Sequence, residues 1–269
     1  MNHMQMIVLM YMGVLGAAMG SFAAATAWRI AKGRSFTRER SECESCHHVL
    51  AAKDLVPVLS WLWLRGKCRY CKRSISSQLL GTELAGALIF MLSFWFWPYE
   101  FTTIGVVIFA LWLLSLTMLM ILFIYDAKHF ILPDVLVWPL VIVGAGIGVL
   151  IGAYMGETVL ETFWGLLFSL LPVSGVYLLL HLVSSGRWIG LGDVKLGVFM
   201  GFVLGWGGAF CALLLANLLG TIYILPLMAA KKLRRTDHVP FGPFLIAATV
   251  IVFLWGRQWF SQYLSAVGL

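Results

Sequence analysis

Residues 103–126 read TIGVVIFALWLLSLTMLMILFIYD, a run of 22 residues without a charge, then Tyr125 and Asp126. A helix rises 1.5 Å per residue, so about 20 apolar residues cross the ~30 Å hydrocarbon core of a bilayer. The run therefore reads as a spanning helix over 103–124, with Asp126 at its end. Outward from it, seven further stretches have the same character: 6–27, 79–97, 135–153, 160–183, 194–207, 209–229 and 240–256. The sixth, 194–207, is short, and the last contains Pro243. With 61% hydrophobic and 12% charged residues the chain does not describe a water-soluble globule. The expected fold is an all-α integral membrane protein of about eight transmembrane helices. No basic residue precedes the first stretch, which runs on into a basic segment, so it reads as a retained helix and not as a cleaved leader.

Basic residues in short loops set orientation. The segment from Arg29 to Arg73 carries 11 of the 19: Arg29, Lys32, Arg34, Arg38, Arg40, Lys53, Arg65, Lys67, Arg69, Lys72 and Arg73. Eight crossings with the amino terminus outside put these, Lys128, Arg187, Lys195, Lys231, Lys232, Arg234 and Arg235 on the cytoplasmic side. Only Arg257 falls outside, with Glu100 and Glu157 in opposite loops. The net charge of +7 is then a matter of topology and anionic lipid, with no stacking or groove-reading motif to suggest nucleic acid.

Between the first two spans lie Cys43-Glu-Ser-Cys46 and Cys68-Arg-Tyr-Cys71, two CxxC knuckles 21 residues apart. Four thiolates complete the tetrahedral shell of zinc, and a metal can fold a loop too small to bury a core of its own. The expectation is a small cytoplasmic zinc-ribbon-like insertion with a structural ion held by Cys43, Cys46, Cys68 and Cys71. Redox dithiols, or ligation through His47 or His48, are the competing readings. Cys211, inside an apolar span, reads as a small packing residue.

Ionisable side chains near a span are costly and mark functional positions. Asp126 closes the third span, Asp134 opens the fourth after Pro133, Asp193 stands in Gly190-Leu-Gly-Asp193-Val-Lys-Leu196 at the start of the sixth, and Glu83 lies one turn into the second. In this topology Asp126 and Asp193 share the cytoplasmic side and can meet. Two adjacent carboxylates cannot both ionise, so one can act as base while the other donates a hydrogen bond. Gly190 and Gly192 let the backbone come close to a substrate. Asp134 reads better as a helix cap, and Asp193 alone could cap its helix or pair with Lys195. The role of Glu83 stays open.

The knuckles, Asp126, Asp134 and GxGDxKL occur in this order in one chain and together resemble the bacterial type IV prepilin peptidases, the GxGD aspartic proteases of the membrane. The resemblance extends through Gly20-Ser-Phe22, Val56-Pro-Val-Leu-Ser-Trp61, Leu132-Pro-Asp134, Gly190 to Leu196 and Val239-Pro-Phe-Gly-Pro-Phe244. It implies that Asp126 and Asp193 are catalytic and that the four cysteines hold zinc. It further implies removal of basic leaders from prepilins or type II secretion pseudopilins at the inner membrane, and N-methylation of the new terminus from S-adenosylmethionine. Departures fall in the amino-terminal half: Ala23 and Ala24 follow the GSF motif, Glu44 stands in the first knuckle, and Gln78-Leu79-Leu80 precede Glu83. No glycine-rich cofactor loop is present to derive the methyl-donor site independently.

The expected organisation is a first helix over 1–28, a tetracysteine loop over 29–77 that the resemblance assigns to methyl transfer, and a polytopic peptidase domain over 78–269. A transporter or proton-coupled channel would instead place its carboxylates near the bilayer midplane. A membrane anchor whose zinc loop docks a partner would leave the glycine-flanked Asp193 without a role.

Overall fold

The computed structural model describes residues 2–35, 40–232, 234 and 239–267, the last eight by backbone only. Arg38 and Arg235 of the basic census lie outside the described residues. The described elements are a 3-10 turn at Ala52–Asp54, a π-helical turn at Leu171–Gly175 and nine α-helices: α1 (His3–Ala31), α2 (Leu59–Trp63), α3 (Ser77–Trp95), α4 (Thr103–His129), α5 (Asp134–Met155), α6 (Val159–Ser169), α7 (Val176–Ser184), α8 (Leu191–Ala229) and α9 (Gly242–Val267). Among the described residues, six stretches are long and apolar enough to cross a membrane: α1, α3, α4, α5, the continuous run Val159–Ser184, and α8. The protein is therefore a multi-pass helical membrane protein.

The chain divides into two compact units, Met1–Trp97 and Pro98–Leu269. In the first, α1 packs along α3 through small residues. A side chain on Gly16 would strike the Gly86 carbonyl and Phe90, and one on Gly20 would strike the Thr82 carbonyl and the Glu83 backbone. Gly16-x-x-x-Gly20 is thus a small-xxx-small seam, which associates helices where lipid offers no hydrophobic drive.

In the second unit, α4 runs 27 residues and ends in Phe130, which adopts the left-handed conformation (φ 59°) before the Pro133 turn into α5. Trp112 stacks on Phe253 at 3.8 Å in its core. The fifth span is one element with a π-helical turn at Leu171–Gly175 that joins α6 to α7, and Pro172, which lacks an N–H, lies within that turn. Gly197 and Gly201 of α8 pack against the backbone of Ser174 and Ser169 on this element.

The stretches expected over 194–207 and 209–229 return as the two arms of α8, parted at Gly205. Thirty-nine helical residues would extend about 58 Å, roughly twice the hydrocarbon thickness. The break at Gly205 (φ 68°, ψ 178°), a conformation open to glycine and strained for other residues, divides it into two arms.

Candidate functional site

The thiol cluster is built by two turns of the same design. In the first, the Cys43 N–H donates to the His48 carbonyl and the His47 N–H to the Cys43 carbonyl; in the second, the Cys68 N–H donates to Arg73 and the Lys72 N–H to Cys68. A single antiparallel bridge closes each turn, Glu42 with Val49 and Lys67 with Ser74. His47 and Lys72, each just after the second cysteine of its pair, take positive φ.

All four sulfurs lie within 4.8 Å of one another, with Cys43 Sγ 3.9 Å from Cys71 Sγ. A tetrahedron with Zn–S bonds of 2.3 Å has edges of about 3.8 Å, so the set fits a tetrahedral metal ion. The N–H groups of Cys71 and Tyr70 hold the Cys68 thiol down to about 7, which prepares a thiolate. The His48 N–H favours the Cys46 thiolate, but desolvation and the crowding Cys43 and Cys71 thiols push it up to about 11. Neither His47 nor His48 belongs to the cluster.

An anchor beside the second knuckle was not legible from spacing. The buried Asp54 carboxylate accepts from Arg69 Nε at 2.5 Å, from Tyr70 Oη at 3.0 Å and from the Ala51 N–H at 3.2 Å. Arg69 and Tyr70 are the two residues between Cys68 and Cys71, so Asp54 ties the loop floor to the knuckle itself. The Arg69 guanidinium holds the Asp54 carboxyl below its ordinary range. A cleft of about 320 Å³ at the loop end of α1 is lined by Trp28, Lys32, Arg34, Glu44 and His47.

In the second unit, Asp126 is the 24th residue of α4, about 35 Å along the helix from its start and hence at the far edge of a ~30 Å core. Asp193 is the third residue of α8. The two carboxylates, 67 positions apart in sequence, lie close enough to interact electrostatically. Asp126 is 5% exposed and interacts with the N–H of Gly242, the first residue of α9. Asp193 reaches back to the Gly190 N–H at the cap of its own helix. Orphan N–H groups at two helix starts thus become the donors that orient the pair.

Leu132 fills the space between these ends, since a side chain on Gly192 would meet its Cβ at 2.9 Å and one on Gly242 would meet its Cδ2 at 3.6 Å. The buried Tyr177 of α7 also lies within electrostatic range of Asp193. Gly242, Leu132 and Tyr177 were not singled out from sequence as site residues. Only the PFGPF and LPD segments pointed toward the first two.

Asp134 does not cap α5. Pro133 occupies the cap position, and Asp134, in the first turn, pairs with Lys195 Nζ at 2.6 Å. Lys195 is therefore committed to Asp134 and leaves Asp193 to Asp126. Glu83, buried in α3, accepts the N–H of Val58 at 2.6 Å.

A polytopic helical bundle with paired aspartates at the ends of its helices, joined in sequence to a four-thiol module, defines a class of membrane-embedded protein. Two family profiles match the chain: the bacterial peptidase A24 N-terminal domain over residues 14–97 and the type IV leader peptidase family over residues 113–225. Relatives named prepilin leader peptidase/N-methyltransferase include that of Stutzerimonas stutzeri, 31% identical over 84% of this chain and 75% of its own length. Those of Pseudomonas aeruginosa (32%, 85% and 76%) and Dichelobacter nodosus (34%, 81% and 72%) are similar to the same extent. No solved structure matches the chain. The chain belongs to the type IV leader peptidase family.

Proposed function

We propose that this protein is a membrane aspartic endopeptidase that removes the basic leader from type IV prepilins or type II secretion pseudopilins. Asp126 and Asp193 are its catalytic pair. The observation that carries this reading is the approach of these two carboxylates, each steadied by a helix-start N–H, within a member of a leader peptidase family. The ionised member takes a proton from water, and the protonated member donates a hydrogen bond to the scissile carbonyl. The substrate is itself an apolar helix with a basic leader, so the bilayer aligns its leader junction with the helix ends that carry the pair.

The site lies at the inner membrane and faces the cytoplasm, with the amino terminus outside, since that orientation puts nearly all the short-loop cations on one side. Residues 78–269 form the peptidase part, following the first helix over 1–28. Residues 29–77 form the zinc loop, with a structural ion at Cys43, Cys46, Cys68 and Cys71. Against a transporter stand the positions of the carboxylates at helix ends and the family membership.

The names of the relatives extend the reading to methylation of the new amino terminus. S-adenosylmethionine supplies an electrophilic methyl group when bound. The cleft at the loop end of α1 presents Lys32 and Glu44 to such a donor, while Arg34 is paired with Glu42 and lies over the Trp28 ring. Incubating the purified protein in lipid with a prepilin and weighing the product tests both activities. A product shortened by the leader, and heavier by a methyl group when the donor is added, is expected. An uncut prepilin would remove the peptidase reading, and a cut but unmethylated one would remove the second activity.

A further inference from the structure

The helix α2 is only five residues long, Leu59-Ser-Trp-Leu-Trp63, too short to persist by itself in water. Two contacts hold it. Trp61 turns inward, its ring against Gly66, which has φ +67° and where a side chain would collide with the indole. At the other end, Val58 takes φ 63°, an unusual conformation for a β-branched residue, while the Leu59 N–H bonds back to the Pro57 carbonyl at 2.6 Å. The strained turn is pinned by the Val58 N–H donating to Glu83 of α3.

With Trp61 turned in, the opposite face is apolar and bare. Leu59 is 66% exposed, Leu62 54% and Trp63 84%, at i, i+3 and i+4 of one helical stripe. An exposed tryptophan beside leucines has the composition of a membrane-interface anchor, not of a water-facing loop.

Three observations say what covers this stripe. First, Glu83 lies about 9 Å along α3 from its first residue, so the start of α2 is fastened beside the opening turns of a membrane span. Second, the Ile75 N–H donates to the Gly66 carbonyl at 2.7 Å, which brings the end of α2 back to within a few residues of Ser77, where α3 begins. The short helix thus has both ends held near the level at which α3 enters the bilayer. Third, Lys53, Arg65, Lys67, Lys72 and Arg73 are exposed around it and make no ion pair among the described residues, while Asp54, the one carboxylate of residues 49–77, is taken by Arg69. Exposed cations beside an apolar stripe match an anionic lipid surface.

We propose that α2 is an interfacial helix that docks on the bilayer, burying Leu59, Leu62 and Trp63 among the headgroups while the neighbouring lysines and arginines hold anionic phosphates. Glu83 is the pin that sets its depth. The thiol module, whose two knuckles flank α2 in sequence, is thereby held at the membrane surface instead of extending into solvent. This inference does not depend on the peptidase reading, and its test reads no enzymatic activity.

The full chain is reconstituted in vesicles of phosphatidylcholine and phosphatidylglycerol, with bromine on the acyl chains either near the glycerol or near the bilayer centre. Subtracting the emission of Trp63→Phe from that of the wild type isolates Trp63. The expected result is a blue-shifted indole that loses most of its emission to shallow bromine, less to deep bromine, and less again when phosphatidylglycerol is omitted. A water-like, unquenched Trp63 overturns the proposal. So does a blue-shifted Trp63 that bromine does not touch, because a protein surface would then cover the stripe. Quenching independent of phosphatidylglycerol overturns the role given to the cations. Photo-crosslinking from p-benzoylphenylalanine in place of Leu62 provides a second reading: adducts to lipid are expected, and adducts confined to protein contradict the proposal.

Discussion

Replacing Gly242 by alanine separates the placement of the carboxylate pair from the stability of the fold. The added methyl would lie 2.6 Å from Asp126 Oδ2, against the 3.4 Å at which ordinary contact begins. Asp126 therefore retreats by about 0.8 Å, and a misplacement near 1 Å costs on the order of 100-fold in rate where catalysis depends on orientation. The obstacle is the end of a side chain that can swing, so the backbone need not move. Gly242 opens a helix without a positive φ, so its backbone conformation is open to alanine. We expect prepilin cleavage to fall by roughly 10- to 100-fold while thermal stability is unchanged or slightly raised. The assay is the single-turnover rate of leader removal in vesicles, beside thermal unfolding in the same lipid. Cleavage by Gly242→Ala at the wild-type rate would refute the reasoning, because it would mean that the Asp126 carboxylate need not occupy the position seen against Gly242.

Three further outcomes follow from the same geometry. Gly20→Leu drives a side chain into the α3 backbone at Thr82 and Glu83, where nothing flexible can yield, and destabilises the α1–α3 pair by about 1–3 kcal/mol, measurable as a lower denaturant midpoint in mild detergent. Cys68→Ser removes one ligand of the four-thiol set, so metal analysis of the purified variant shows less than the one zinc per chain expected of the wild type. Arg69 lowers the Asp54 carboxyl, so the stabilisation it contributes is complete above its ordinary range near pH ~4 and is lost as pH falls through the lower folded value. Asp54→Asn abolishes that acid step in loop protection, followed by hydrogen exchange at Tyr70 and Cys71.

Much of this was legible in the sequence because the bilayer imposes a simple rule. Uncharged runs such as 103–124 and 135–153 return as α4 and α5 with their ends shifted by a few residues. The thiol cluster was equally plain, since CxxC pairs bring two sulfurs together on each turn and only the meeting of the turns remained to be seen. What escaped depended on contacts between distant elements. Lys195 pairs with Asp134 and not with the nearby Asp193, a choice made by how the starts of α5 and α8 meet, and the same packing puts Pro133 at the cap position assigned to Asp134. Gly242 gave no signal of its own, because a glycine before a proline in a polar-to-apolar junction reads as a turn. Its use is to leave room for a carboxylate more than a hundred residues earlier. Glu83 was noticed but had no partner until the strained turn at Val58 was seen to lie beside it. The two stretches read over 194–207 and 209–229 return as the arms of α8 on either side of Gly205, whose positive φ breaks the helix.

The most direct measurement is the cleavage of a purified prepilin by Asp126→Asn and by Asp193→Asn, each in vesicles and each checked for membrane insertion and bound zinc. No shortened product is expected from either variant, with insertion and zinc intact. Shortened product from either variant at the wild-type rate would contradict it, since a shared proton between two carboxylates requires both.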